Sequence, residues 1–232
     1  MLRHIRLLIF DLDYVVFDCA QLKAQALRQS LISLADLIPQ DAALPGRAEA
    51  ESGFLDHGSR WIQHLEMGLD EESLNDIKHA YTLHESRLIE SGNGRIYPGV
   101  GDFITQCKRA DIAVALGADA SRDYLVSVVD RYQLDSLFQV ALCTEEFGMG
   151  DAEEMMLEIM RQIEVNPSET LMFGTRAYTF QIARALDIGT IGCGWGIQQH
   201  TSLAESNLQS RTLSDLAAAV KKADNLALQH LD

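Results

Sequence analysis

Five short apolar runs, at residues 7–10, 112–116, 139–142, 170–173 and 190–192, constrain this chain of 232 residues more than any other feature. Between them, at 100–109, 122–132, 152–163 and 178–186, apolar residues recur every three or four positions, the spacing of a helix with one buried face; the same pattern closes the chain at 213–223. Short runs too apolar to alternate, joined by helices, predict a parallel sheet covered by helices. Such sheets hold their ligands outside the carboxyl ends of the strands, where the strand order reverses. The first run leads directly into Asp11 and Asp13, which places both acids at that crevice. Carboxylates beside Phe10 and Leu12 are costly to bury unpaired, so they imply a cation, a hydrogen-bonding nest or a reaction. The plainer alternative is that Asp11 caps a helix and Asp13 is solvated.

Residues 18–95 read differently, with several helical segments and no convincing strand. Leu22, Ala26, Leu27, Ser30 and Leu31 share one helical face; Trp61, Ile62 and Leu65 form a second, and Leu74, Ile77, Tyr81, Leu88 and Ile89 a third. The stretch SGNGRIYPGV then supplies the breakers Gly92, Gly94, Pro98 and Gly99, where a hinge would return the chain to its main body. The expected division is a core of residues 1–17 and 96–232 with a helical insert at 18–95. Trp61 and Tyr81 are read as insert core, and Met155, Met156 and Met160 as helix packing. His57, His64, His79 and His84 take surface or packing roles, since even the closest pair, His79 and His84, has a spacing that suits no helical metal site.

The balance of 34 acidic against 19 basic residues, a net charge of −15, argues against nucleic-acid and anionic-membrane partners, whose phosphates require clustered Lys and Arg. No apolar run approaches the ~18 residues of a membrane span, and the start of the chain has no signal-peptide pattern. Cys19, Cys107, Cys143 and Cys193 are dispersed, without a CxxC pair, and are expected to be reduced and mostly buried. These features lead to the expectation of a cytoplasmic protein.

IFDLDYVVFD resembles motif I of the haloacid dehalogenase (HAD) superfamily, and IYPGV and GTIGCGWGI are similar to later segments of its phosphoglycolate phosphatase and beta-phosphoglucomutase subfamily. The resemblance spans roughly residues 5–200. It implies a doubly wound, Rossmann-like α/β core with an α-helical cap domain inserted after the first strand. It further implies that Asp11 attacks phosphorus to give an aspartyl-phosphate and that Asp13 is the general acid and base. Mg²⁺, held by Asp11, Asp13 and the acids of a fourth motif, would balance the phosphate charge together with a lysine and a hydroxyl.

The other motifs depart from that pattern. In motif I, Tyr14 and Val15 replace the usual Gly and Thr. Where a Ser or Thr should end the second core strand stand Leu116, Gly117, Ala118 and Asp119; Ser121 follows, better placed as the cap of the next helix. The expected lysine falls near Gly150, in a stretch with no basic residue. Gly174 of motif IV is kept, but Thr175 and Thr179 stand where its acids belong, and hydroxyls are poor substitutes for Mg²⁺ ligands. Asp11, Asp13 and Asp119 would therefore converge without their usual cations. Arg176, two residues past Gly174, or Arg122 is expected to take the metal's place, a planar fork being suited to bridging carboxylates; the alternative, that both are solvated surface arginines, stays open. Tyr14 and Trp195 are expected near the strand ends.

Two functions follow as expectations. One is a HAD-like protein with weak or lost phosphatase activity and a binding or regulatory role. The other is a Mg²⁺-dependent phosphomonoesterase. The expected partners are a small phosphorylated metabolite or a protein not identifiable from sequence, with a homodimer left open by the apolar faces of the cap.

Overall fold

A computed structural model describes residues 4–39, 44–57, 62, 69–148, 151–195 and 201–229. Contacts divide the chain into two compact units, one of Met1–Asp18 with Ile96–Asp232, the other of Cys19–Arg95. In chain order, β1 (Leu7–Asp11) and the two-residue β2 (Phe17–Asp18) precede three helices, α1 (Ala20–Ser33), α2 (Arg47–His57) and α3 (Glu71–Glu90). The short β3 (Arg95–Ile96) follows. Then come α4 (Val100–Arg109), β4 (Ala113–Ala118), α5 (Arg122–Tyr132), β5 (Val140–Cys143), α6 (Ala152–Ile163), β6 (Thr170–Gly174), α7 (Ala177–Ala185), β7 (Gly189–Cys193), β8 (Leu208–Ser210) and α8 (Leu213–Gln229).

The first unit is a six-stranded sheet in the order β5-β4-β1-β6-β7-β8, every neighbouring pair parallel. This is the α/β architecture expected, with all five anticipated strands present. β8 was not anticipated: Leu-Gln-Ser carries no apolar run, and it is held at the edge by pairing Leu208 with Ile191 and Ser210 with Cys193. Because β4 and β6 lie on either side of β1, the strand order reverses there, and the crevice opens at the carboxyl end of β1.

β1 is buried along its whole length. On one face Phe10 stacks on Phe173, ring centroids 4.5 Å apart and planes within 3°, and meets the rings of Phe103 and Phe138 edge-on. On the other, Leu7 and Ile9 pack with Met155, Met156, Met160 and Met172, so the methionines of α6 are core. The four cysteines are buried thiols outside any disulfide. No helix among the described residues is long and apolar enough to cross a membrane.

In the second unit Tyr81 is buried and its ring stacks on that of Phe54, centroids 5.2 Å apart. Lys23 Nζ pairs with Glu85 Oε1 at 2.9 Å, and the Tyr81 hydroxyl donates to the same oxygen at 2.5 Å. His79 is exposed and His84 half-buried. Trp61 and His64 lie outside the described residues, as does the side chain of His57.

Candidate functional site

β1 ends at Asp11, whose backbone pairs with Gly117 of β4. The chain then turns sharply: Val16 and Phe17 both donate to the carbonyl of Leu12, and Tyr14 donates to that of Phe17. Tyr14 adopts a φ of 64° in this turn, the left-handed conformation that glycine takes without penalty and a bulky residue takes at about 1–2 kcal/mol. The ring of Tyr14 is buried. Trp195, just past the end of β7, pins the turn by donating from Nε1 to the Val15 carbonyl at 3.1 Å. Tyr14 and Trp195 thus both lie at the strand ends, as expected.

At the neighbouring end of β6, Gly174 is closely covered, since a Cβ there would come within 3.2 Å of Phe180 and 3.3 Å of Thr179 and both side chains would have to give by a few tenths of an ångström. Thr175 and Thr179 are buried. Arg176, the residue immediately before α7, is 5 % exposed and directs its fork at the acids. One terminal nitrogen, Nη2, donates to Asp11 Oδ2 at 3.1 Å; the other, Nη1, donates to Asp119 Oδ2 at 3.1 Å. A single guanidinium therefore bridges carboxylates from the ends of two strands. Thr144, the first residue after β5, donates to the second oxygen of Asp119 at 3.2 Å.

Arg122, the other arginine expected here, does not reach Asp11 or Asp13. Its side chain is two-thirds exposed and pairs with Glu146 at 2.6 Å, while its backbone N–H bonds to Glu145. The physical reason is proximity: β4 and β5 are adjacent, so the loop after β5 carries Glu145 and Glu146 to the first turn of α5. Ser121 caps that helix, its hydroxyl accepting from the Tyr124 amide.

Asp13 is met by a residue that sequence reasoning missed. The Tyr124 hydroxyl donates to Asp13 Oδ1 at 2.6 Å, and both side chains are buried. The signal was positional. Tyr124 lies in the first turn of a helix that starts at the carboxyl end of a core strand, where side chains face the crevice; an aromatic residue there reads as packing until the fold brings it against β1. Removing the hydroxyl leaves a buried carboxylate short of one donor, so Tyr124→Phe is expected to cost about 1–3 kcal/mol of stability in urea unfolding, and a loss below about 0.5 kcal/mol would refute the bond.

Burial pushes the Asp11 carboxyl up from 3.8 to about 6; Arg176 opposes that rise, while Asp13 and Asp119 add to it. Burial also works against the charge on Arg176, yet Asp11, Asp119 and Asp13 outweigh it and raise its already high pKa further. The guanidinium is a permanent charge. The cavity between Asp11, Gly117, Asp119, Met155 and Arg176 measures about 10 Å³, roughly the volume needed for one water.

These residues do not fit the Mg²⁺ that the fold family implies. Asp11 is engaged by a guanidinium and Asp13 by a phenol, and Thr175 and Thr179 offer neutral oxygens in place of carboxylates. Among the described residues, no three His, Cys, Asp or Glu side chains are grouped to hold a metal ion. Gly150, where the motif lysine was expected, lies outside the described residues.

The family model for haloacid dehalogenase-like hydrolases matches residues 5–185. No curated protein matches the chain. Among solved structures, a predicted phosphatase from Clostridium acetobutylicum superposes with a TM-score of 0.79 at 14% identity, covering 95% of this chain and 100% of that one. A predicted phosphoglycolate phosphatase from Haemophilus somnus gives 0.77 at 14% identity, with 95% and 100% covered. CbbY from Rhodobacter sphaeroides, in complex with phosphate, gives 0.70 at 17% identity, with 91% and 96% covered.

Proposed function

The chain belongs to the haloacid dehalogenase-like hydrolases, and on that premise we propose that phosphomonoesterase turnover is weak or lost in this member, which serves as a binding or regulatory protein. The observation that carries this reading is the ion pair between Arg176 and Asp11. An attacking carboxylate must approach a phosphate dianion, and the approach is repulsive unless cations gather both partners. Here the guanidinium offsets acids the protein already holds. Three acids, Asp11, Asp13 and Asp119, act on its one positive charge, and the stretch that should supply a lysine has none. The Met155 methyl fills the space over Gly117, where an added Cβ would come within 3.0 Å of it.

One observation favours an active enzyme, the hydrolysis of a small phosphorylated metabolite through an aspartyl-phosphate. Asp11 and Asp13 are both retained, and the Tyr124 hydroxyl holds Asp13 in a fixed position. The ligand under the first reading is a small phosphorylated metabolite or a protein partner. Hydrolysis of p-nitrophenyl phosphate with and without MgCl₂, run beside Asp11→Asn, separates the readings. The expected result is a wild-type rate barely above that of the variant, with or without MgCl₂. Brisk turnover, on the order of 1 s⁻¹ or more, that the asparagine abolishes would overturn the proposal.

A further inference from the structure

We infer that Arg176 is the resident cation of this site, bridging the acids in place of the family's divalent metal, so that the site works without Mg²⁺. The inference rests on the family reading above and concerns the metal, not turnover.

Four observations support it. The first is place: Arg176 follows Gly174 at the carboxyl end of β6, the strand beside β1, next to Thr175 where the family's acid would stand. The second is geometry, since its two terminal nitrogens each lie 3.1 Å from a carboxylate oxygen, one on Asp11 and one on Asp119. Those acids come from different strands, and joining carboxylates contributed by separate strands is the task a bridging dication performs. The third is burial: a side chain 6 % exposed keeps a charge only when it is paired. The fourth is the donor set, because a dication entering here would have to displace a guanidinium from Asp11 and Asp119 and would meet the neutral Thr175 and Thr179 where the family's acids stand. Arg176 also keeps a donor in reserve. Its Nε is buried and has no hydrogen-bond acceptor among the described residues, which leaves an N–H for a ligand oxygen.

Calorimetric titration of MgCl₂ into the wild-type protein tests the inference, with melting temperatures recorded in MgCl₂ and in NaCl of matched ionic strength. The expected result is no saturable heat up to about 10 mM and no Mg²⁺-specific rise in melting temperature. Arg176→Ala, which exposes the acids to one another, is expected to gain a rise in MgCl₂ that NaCl does not reproduce. The pair Thr175→Asp and Arg176→Ala, restoring a carboxylate, should bind Mg²⁺ at least about tenfold more tightly than wild type. Saturable wild-type binding with a Kd below about 1 mM that Asp11→Asn removes would overturn the inference; so would equal cation responses in wild type and Arg176→Ala. Should the variants fail to fold, the wild-type titration decides alone. Turnover without Mg²⁺ would sink the proposed loss of activity and leave this inference standing, and tight Mg²⁺ binding without turnover would do the reverse.

Discussion

Replacing Lys23 with methionine is expected to lower folding stability by about 3–5 kcal/mol, because it strands a buried carboxylate. Lys23 and Glu85 are 3 % and 6 % exposed and join α1 to α3 across 62 residues of sequence. The Tyr81 hydroxyl still donates to Glu85 in the variant, but a neutral donor does not replace an ammonium. In a chain of this size the loss corresponds to a fall of roughly 6–20 °C in melting temperature. Adding Glu85→Leu and Tyr81→Phe removes the stranded groups together and should return most of the stability, since an apolar set of similar volume is often no worse than a buried pair. Urea unfolding followed by circular dichroism measures both. A single variant within about 1 kcal/mol of wild type, or a triple variant no better than the single, would refute the account.

The second large effect is a pH dependence set by Asp11. In the unfolded chain this carboxyl titrates near 3.8, in the folded protein near 6. Below 3.8 it is protonated in both states and the native protein is not penalised. Between those values the folded state keeps a proton that the unfolded state has lost, so the contribution to stability falls as pH rises. Above 6 the whole penalty is present, about 3 kcal/mol by the linkage of proton binding to folding. Asp11→Asn removes the titrating group while its amide oxygen can still accept from Arg176. It is therefore expected to be more stable than wild type at pH 7 by up to about 3 kcal/mol and to lose the slope between pH 4 and pH 6. Parallel stability–pH curves for the two proteins would refute the assignment.

How much of the site was legible depends on how far each partner lies along the chain. The acids could be placed from residues 7–13 alone, because a run of four apolar residues followed by two aspartates says where a strand stops. The missing cations could be counted as well, since the absence of a lysine before α6 and of acids after Gly174 is a matter of composition. Charge accounting then required a compensating arginine. It favoured Arg176, two residues past Gly174, but left Arg122 open, since both sit at the start of a helix following a core strand.

That choice belongs to the sheet. With β6 beside β1, a side chain from the start of α7 reaches Asp11; with β5 beside β4, Glu145 and Glu146 draw Arg122 outward. Tyr124 lies 111 residues from Asp13, and Thr144 lies 25 from Asp119; no local pattern encodes either meeting. β8 is illegible in the sequence for a related reason, being three residues whose strand character comes from the neighbour they pair with.

The sequence by itself thus determined the strands and helices of the core, the position of Asp11 and Asp13, and the shortage of positive charge around them, because periodicity and residue type are local properties. Only the tertiary structure decided that Arg176 bridges Asp11 and Asp119, that Tyr124 donates to Asp13, and that a cavity of only about 10 Å³ remains between Asp11, Asp119 and Arg176. Those contacts join residues at the ends of different strands and in the segments that follow them, and strand order, set by packing across the whole sheet, is what brings them within reach.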